Sequence, residues 1–312
     1  MKRRNDRTES IAFRKAKELV FRKTKTVKEA SIESVKQIRK EQIVNYWNSI
    51  IQNNPKVIRV VGKFAAKELK QDIRSIFTFA EKSGETYQKE IISQAEISKS
   101  FAEVKDKVFL VDRKVNQSMV LMVGTLPQHN HPDFYALQLL NYILGGGGFN
   151  SYMMQQIRVE RGLAYSATSF PLFKANYGVF YAYSMTKNKS LIEVYNLMQK
   201  ILSKSTFAKI TEKELQKAKG AINNKFVFLF SDKMKIVSNQ LRFDEDKMPK
   251  DYLKNYRKKM QKVTLEDLRR VGEKYFVQKK LKTILVAPKS VLKGKFPEKY
   301  KVISPDYQFP QN

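Results

Sequence analysis

Between Leu144 and Tyr165 the chain reads LGGGGFNSYMMQQIRVERGLAY, and few stretches restrict a fold as tightly. Four consecutive glycines, Gly145, Gly146, Gly147 and Gly148, close an apolar segment, because a glycine run is a poor continuation of any helix. Met153, Met154 and Ile157 follow at helical spacing, so a second helix begins almost at once and delivers Arg158. One short turn later Leu163-Ala164-Tyr165 reads as strand. A glycine cap between two such elements lets one helix pack tightly on the next. Phosphate binding would need Gly-x-Gly-x-x-Gly or Gly-Lys-Ser/Thr spacing, and neither is present.

The rest of the chain predicts helices and strands in alternation. Ile11, Ala12, Lys15 and Leu19 place a helix over 8–22, with Thr8 or Ser10 as cap. Ser31 opens a helix with Glu33 in its positively polarised first turn, running to about Ile51 and stopped by Asn53-Asn54-Pro55. Val57–Val61 is a β-branched run and reads as a buried strand, followed by an amphipathic helix over Ala65–Phe79. Residues 83–104 carry little apolar periodicity and read as a linker. Strands at Val108–Val111 and Ser118–Gly124 open a second unit, His131-Pro132-Asp133 starts a helix over Phe134–Leu144, and Tyr165–Phe170 pairs with Tyr177–Met185 in a hairpin. Helices over 188–203, 211–229, 232–246, 250–260 and 264–275 precede a strand at Thr283–Ala287, and residues 291–312 read as an irregular tail.

A faint repeat joins the two units. Ser31-Ile32-Glu33-Ser34-Val35 precedes Val57–Val61 as Thr264-Leu265-Glu266-Asp267-Leu268 precedes Thr283–Ala287, so a capped helix, a break and an apolar strand recur in order. Residues 1–82 are therefore expected to be the end of a domain whose complete copy is 105–290.

Composition narrows the functions. Hydrophobic residues make up 42% of 312, with 20 Phe and 15 Tyr, enough for buried cores. No cysteine is present, which excludes disulfides and thiolate chemistry. No apolar run approaches the ~20 residues that span a bilayer, and the polar start MKRRNDRTES shows no signal peptide. As it stands the chain is expected to be cytoplasmic, or exported if an upstream part carries a signal.

Sixty Lys and Arg against thirty Asp and Glu give a net charge of +30. A field of that sign attracts polyanions or acidic peptides, yet the basic residues are spread along the chain and match no nucleic-acid motif. Lysine-coated helices are the favoured reading of them over a nucleic-acid function.

Arg158 and Tyr165 are, on spacing alone, a surface charge and a half-buried aromatic. Their chemistry suits another role, since a guanidinium and a phenol donate hydrogen bonds to peptide carbonyls and to a developing oxyanion. The chain's two histidines, His129 and His131, stand two apart beside Pro132, with no evident third ligand, and read as a solvated turn capping the next helix. A serine triad finds no Gly-x-Ser-x-Gly and no placed histidine.

The segments Val60-Val61-Gly62-Lys63-Phe64, Asn116-Gln117, His131-Pro132-Asp133-Phe134-Tyr135-Ala136-Leu137 and Gly145 to Tyr165 together resemble the insulinase/pitrilysin family of zinc peptidases, which includes the mitochondrial processing peptidases. The resemblance runs from about Thr8 to Ala287. It implies an α+β fold, a two-domain sandwich of antiparallel-rich sheets packed with helices, the first domain incomplete. It implies that Arg158 and Tyr165 match the arginine/tyrosine pair of the family's non-catalytic domain, and that Gly145–Gly148 form a flexible loop bordering a substrate cavity. The family's His-x-x-Glu-His zinc motif cannot be formed here, so no cofactor is expected on this chain and zinc is expected on a partner subunit of the same family. The implied role is a non-catalytic subunit or fragment of a zinc endopeptidase that binds extended peptides, acidic ones favoured by charge. The alternatives are a stand-alone peptide- or protein-binding module and, more distantly, a charge-driven polyanion binder.

Overall fold

The structure, a computed structural model, describes residues 6–24, 27, 30–53, 57–76 and 92–303. The chain divides into two compact units: Met1–Lys28, Ile92–Asn224 and Met248–Asn312 form the first, and Glu29–Ile91 with Lys225–Lys247 the second.

The helices in chain order are α1 (Thr8–Phe21), α2 (Ile32–Lys36), α3 (Lys40–Asn53), α4 (Ala66–Ile76), α5 (Gln94–Ala102), α6 (Phe134–Asn141), α7 (Leu191–Ile201), α8 (Lys204–Ala208), α9 (Glu212–Val227), α10 (Lys233–Glu245), α11 (Tyr252–Gln261), α12 (Leu265–Val271) and α13 (Lys289–Leu292). The strands are β1 (Val108–Asp112), β2 (Gln117–Leu126), β3 (Ala164–Phe173), β4 (Gly178–Lys187), β5 (Lys282–Ala287) and β6 (Lys301–Ile303). The fold is α+β, as the sequence predicts.

Unit 1 is built on one six-stranded sheet in the order β3-β4-β2-β5-β1-β6. β5 lies between β1, to which it runs parallel (Val108 beside Thr283), and β2, to which it runs antiparallel (Met119 beside Val286). All six residues of β5 are buried, which explains why it reads as an unbroken apolar run rather than an alternating one. Phe109, Val111, Met119, Leu121, Val123, Ile284 and Val286 share a core with α1 and α5. The opposite face carries α6, α7 and the π turn Gly272–Phe276 that follows α12, where the Phe180 ring stacks on Phe276 at 4.3 Å.

The expected division of the chain needs correcting here. Helix α1 does not go with residues 30–76. Its buried stripe, Ile11, Ala12, Ala16, Leu19 and Val20, lies on the sheet of unit 1. Residues 83–91 of the expected linker lie outside the described residues, but 94–102 form α5, opened by a reciprocal Ser93–Glu96 capping box and anchored by Ile97 and Phe101. The tail also has structure: α13 follows Pro288, and β6 adds to the sheet edge in parallel with β1, burying Ile303.

Unit 2 holds α2, α3, α4 and α10. The single helix predicted from Ser31 is two. Ser31 and Ser34 form a reciprocal capping box, and the helix they open ends at Lys36. The Gln42 side chain accepts from the Arg39 N–H at 2.9 Å and so caps a fresh start. Part of the predicted stop, Asn54 and Pro55, lies outside the described residues. Val57–Val61 forms no strand. It pairs with no described residue and its side chains are exposed, because a lone extended run has no ladder to satisfy its backbone. Arg59 is tied to α10 through an ion pair with Asp244, its Nε donating at 3.0 Å.

Candidate functional site

The site is built where α6 runs out. Its apolar residues Leu137, Leu139 and Leu140 are buried, and the helix widens into a π turn over Tyr142–Gly146 before the chain reverses. The glycines are what the crossing needs. A Cβ on Gly145 would sit 2.6 Å from the Ser169 backbone nitrogen and 2.8 Å from the Met153 sulfur. Gly146 and Gly147 press against Asn141 and Tyr142. Gly148 adopts φ 59°, a left-handed turn. Thr168 donates to the Gly145 carbonyl at 3.1 Å and Ser169 to Asn141 Oδ1 at 2.7 Å, so strand and turn are locked together.

The next residues are pinned one by one. Ser151 Oγ donates to the Gly148 carbonyl (2.7 Å), Lys217 Nζ to Asn150 Oδ1 (2.7 Å), and Gln155 Nε2 to the Phe149 carbonyl. Tyr152 donates to Glu214 at 2.6 Å. Burial first, and then that carboxylate, hold the Tyr152 phenol above its ordinary range. A second π segment, Met154–Val159, carries Arg158 and ends at Gly162, φ 61°, whose N–H donates to the Arg158 carbonyl at 3.0 Å.

Strand β3 then starts with a bulge. Ala164 pairs with Thr186 and Ser166 with Met185, so Tyr165 is the extra residue. Because β3 is an edge of the sheet, the bulge aims the ring outward, and Tyr165 is 80% exposed. The structure brings the two predicted residues together: the Arg158 guanidinium carbon lies 4.5 Å from the centre of the Tyr165 ring and 4.9 Å from that of Phe149. Each such stack contributes about 0.5–1 kcal/mol at an exposed site and fixes the plane of the guanidinium.

Among the described residues the Arg158 N–H groups have no acceptor, so their donors face outward beside an exposed phenol. Phe149 is the member that sequence reasoning missed. An aromatic beside a glycine turn is its only signal, since its contact with Arg158 depends on both π segments. Two open surface cavities, of about 710 and 530 Å³, involve other residues, Asn116 and Asn188 in one and Lys15 and Arg22 in the other. With Tyr165 and Phe149 both exposed, the stack lies on the surface of this chain.

The histidine turn differs from expectation. His131 Nδ1 accepts from the Asp133 N–H at 3.0 Å just ahead of α6, whose start has no side-chain cap, and His129 is buried rather than solvated. Among the described residues no group of three His, Cys, Asp or Glu could hold a metal ion.

Asp133 is instead a structural node. Its buried carboxylate accepts from Arg270, from Lys274 at 3.0 Å and from Tyr275 at 2.8 Å. Burial opposes its ionisation, but those hydrogen bonds prevail and hold its pKa at about 2, against an ordinary 3.8. With the folded value depressed, the stabilisation is complete above about pH 4 and is lost as pH falls through 2. Asp133→Asn is expected to cost about 2 kcal/mol at neutral pH and to flatten the stability profile across that window. Urea unfolding between pH 2 and 7 measures it, and an unchanged slope there would remove Asp133 as the source.

Residues 37–222 match the family described as the peptidase M16 inactive domain. An uncharacterized zinc protease of Streptomyces coelicolor is 23% identical over 205 residues, 65% of this chain and 43% of that protein. One from Rickettsia felis is 33% identical over 102 residues, 33% of this chain and 24% of its own length. The chain therefore spans less than half of the curated relatives it matches. A peptidase M16 inactive domain from Pseudomonas fluorescens superposes with a TM-score of 0.76 at 18% identity, covering 92% of this chain and 67% of that one. Among the described residues no helix is long and apolar enough to cross a membrane.

Proposed function

The chain belongs to the peptidase M16 inactive-domain family, and we propose that it acts as the non-catalytic half of a zinc endopeptidase, binding extended peptide and presenting Arg158 and Tyr165 to a zinc-bearing partner of the same family. The observation that supports this role is the exposed Arg158–Tyr165 stack, 4.5 Å from guanidinium to ring. Rigid, outward-facing donors of this kind suit a peptide backbone, whose carbonyls offer acceptors at regular intervals. Zinc on the partner would supply water activation. The roles of this chain are to hold the substrate carbonyl with the Arg158 N–H edge and to stabilise its developing negative charge with the Tyr165 hydroxyl.

Mixing the chain with a zinc-bearing subunit of the family and following cleavage of a fluorogenic peptide tests this role. Tyr165→Phe keeps the ring under Arg158 and removes only the hydroxyl, so kcat is expected to fall by about tenfold with little change in peptide affinity. Full hydrolysis with both Tyr165→Phe and Arg158→Ala would end the proposal. Peptide binding at Arg158 that never leads to cleavage would point instead to the stand-alone binding module.

A further inference from the structure

Phe149 supplies one ring of the Arg158 stack, yet its own turn does little to hold it. It sits in a single 3₁₀ turn, Gly148–Asn150, that has no buried residue. The ring is 57% exposed, and among the described residues Arg158 is its one charged or aromatic contact. Arg158 in turn has no acceptor for its N–H groups among those residues, so the Phe149 and Tyr165 rings are what orients it. A turn without buried apolar contacts belongs to the low-stability end of a structure unless something else ties it down.

The tie comes from the first turns of α9, more than 60 residues further along the chain. Glu214 and Lys217 stand three apart on one face of that helix, and each reaches back to the turn. Glu214 Oε1 accepts from the Tyr152 hydroxyl at 2.6 Å, and Lys217 Nζ donates to Asn150 Oδ1 at 2.7 Å. Glu214 is itself fixed, because its Oε2 accepts from the Thr211 N–H and hydroxyl, both at 2.8 Å. One carboxylate oxygen thus caps its own helix while the other grips Tyr152, and bonds on both oxygens leave the group no freedom to swing. Each grip involves an ionised partner, the stronger kind of hydrogen bond.

We infer that Glu214 and Lys217 are positioning residues for Arg158. Neither touches the guanidinium; they act through Tyr152 and Asn150, which place Phe149, whose ring sets the plane in which the Arg158 donors point. The residues on both sides of Phe149 along the chain are free of other duties that would place it, since Gly148 has only its left-handed turn and Asn150 only its bond to Lys217. A purely structural role for the same bonds makes a different forecast: α9 would lose its cap and some stability, and Arg158 would stay where it is. The positioning stands whether or not Arg158 contacts peptide, and only its kinetic consequence rests on the role proposed above.

The Arg158 Nε–H resonance of the full ¹⁵N-labelled chain, assigned by its loss in Arg158→Lys, tests the inference. A ring stacked on a guanidinium shields it, so Phe149→Ala marks the frequency of an Arg158 that has lost that ring. Tyr152→Phe removes one hydroxyl, and Lys217→Met changes an exposed side chain. Each is expected to move the resonance downfield toward the mark, and the two together to reach it, while the amides of β2 and β5 exchange as before. Mixed with a zinc-bearing subunit, the double variant is expected to lower kcat by about tenfold with KM little changed. A resonance that stays put in Phe149→Ala or in the double variant would overturn the inference, whatever the kinetics. Should Tyr152→Phe unfold the chain, Lys217→Met alone decides by the same readout. A resonance that moves while hydrolysis stays whole would uphold the positioning and count against the role proposed for Arg158.

Discussion

Gly145→Ala is expected to destabilise unit 1 by about 3 kcal/mol or more, the upper end for an overpacked core position. The added carbon would lie 2.6 Å from the Ser169 nitrogen and 2.8 Å from the Met153 sulfur. The first of these is backbone, in a strand paired with β4 (Ser169 beside Ala182), and cannot retreat without breaking that ladder. Gly148→Ala makes the informative contrast. No atom lies within 4 Å of its Cβ position, so the cost there is the left-handed backbone alone, about 1–2 kcal/mol. Thermal unfolding of the two variants should therefore rank Gly145→Ala well below Gly148→Ala. An equal or reversed order would mean that the turn is loose rather than wedged.

Under the proposed role, Arg158→Lys should fail almost as badly as Arg158→Ala when the chain is mixed with a zinc-bearing subunit, each lowering kcat/KM by about 10²–10³. The reason is geometric. Lysine keeps the charge but has no plane to lie between Phe149 and Tyr165, and its ammonium is a strongly hydrated point with no fixed fork of donors. Steady-state kinetics on the two variants decides the matter. If lysine restored most of the activity, charge rather than orientation would be what the site supplies, and the stacking at 4.5 and 4.9 Å would be incidental.

The central strands and the glycine corner were legible because their signals are local. β2 and β5 are unbroken apolar runs, and Arg158 and Tyr165 sit on either side of a turn short enough to bring them together. Elsewhere the deciding contacts are distant in sequence. Val57–Val61 and Thr283–Ala287 look alike as text, yet one is exposed and the other buried, because among the described residues only the second meets strands, about 160 and 175 residues earlier. The Ser93–Glu96 capping box is readable by its spacing, but its polar neighbours mask Ile97 and Phe101, whose partners lie on α1 and the sheet. β6 is three residues long, too short for any periodicity to register. The role of Phe149 depends on π turns that widen the helix by one residue, a departure that helical spacing does not reveal.

The position of β5 sets the timetable of synthesis. Its two neighbours, β1 and β2, leave the ribosome by residue 126, but β5 itself begins only at residue 282. At about 5–20 residues per second, that interval lasts roughly ten to thirty seconds. Throughout it the nascent chain holds two apolar strands whose intended separator does not yet exist, and premature closure of one on the other would exclude β5. Production of this protein should therefore depend on a holdase chaperone or on slow elongation far more than its final packing suggests.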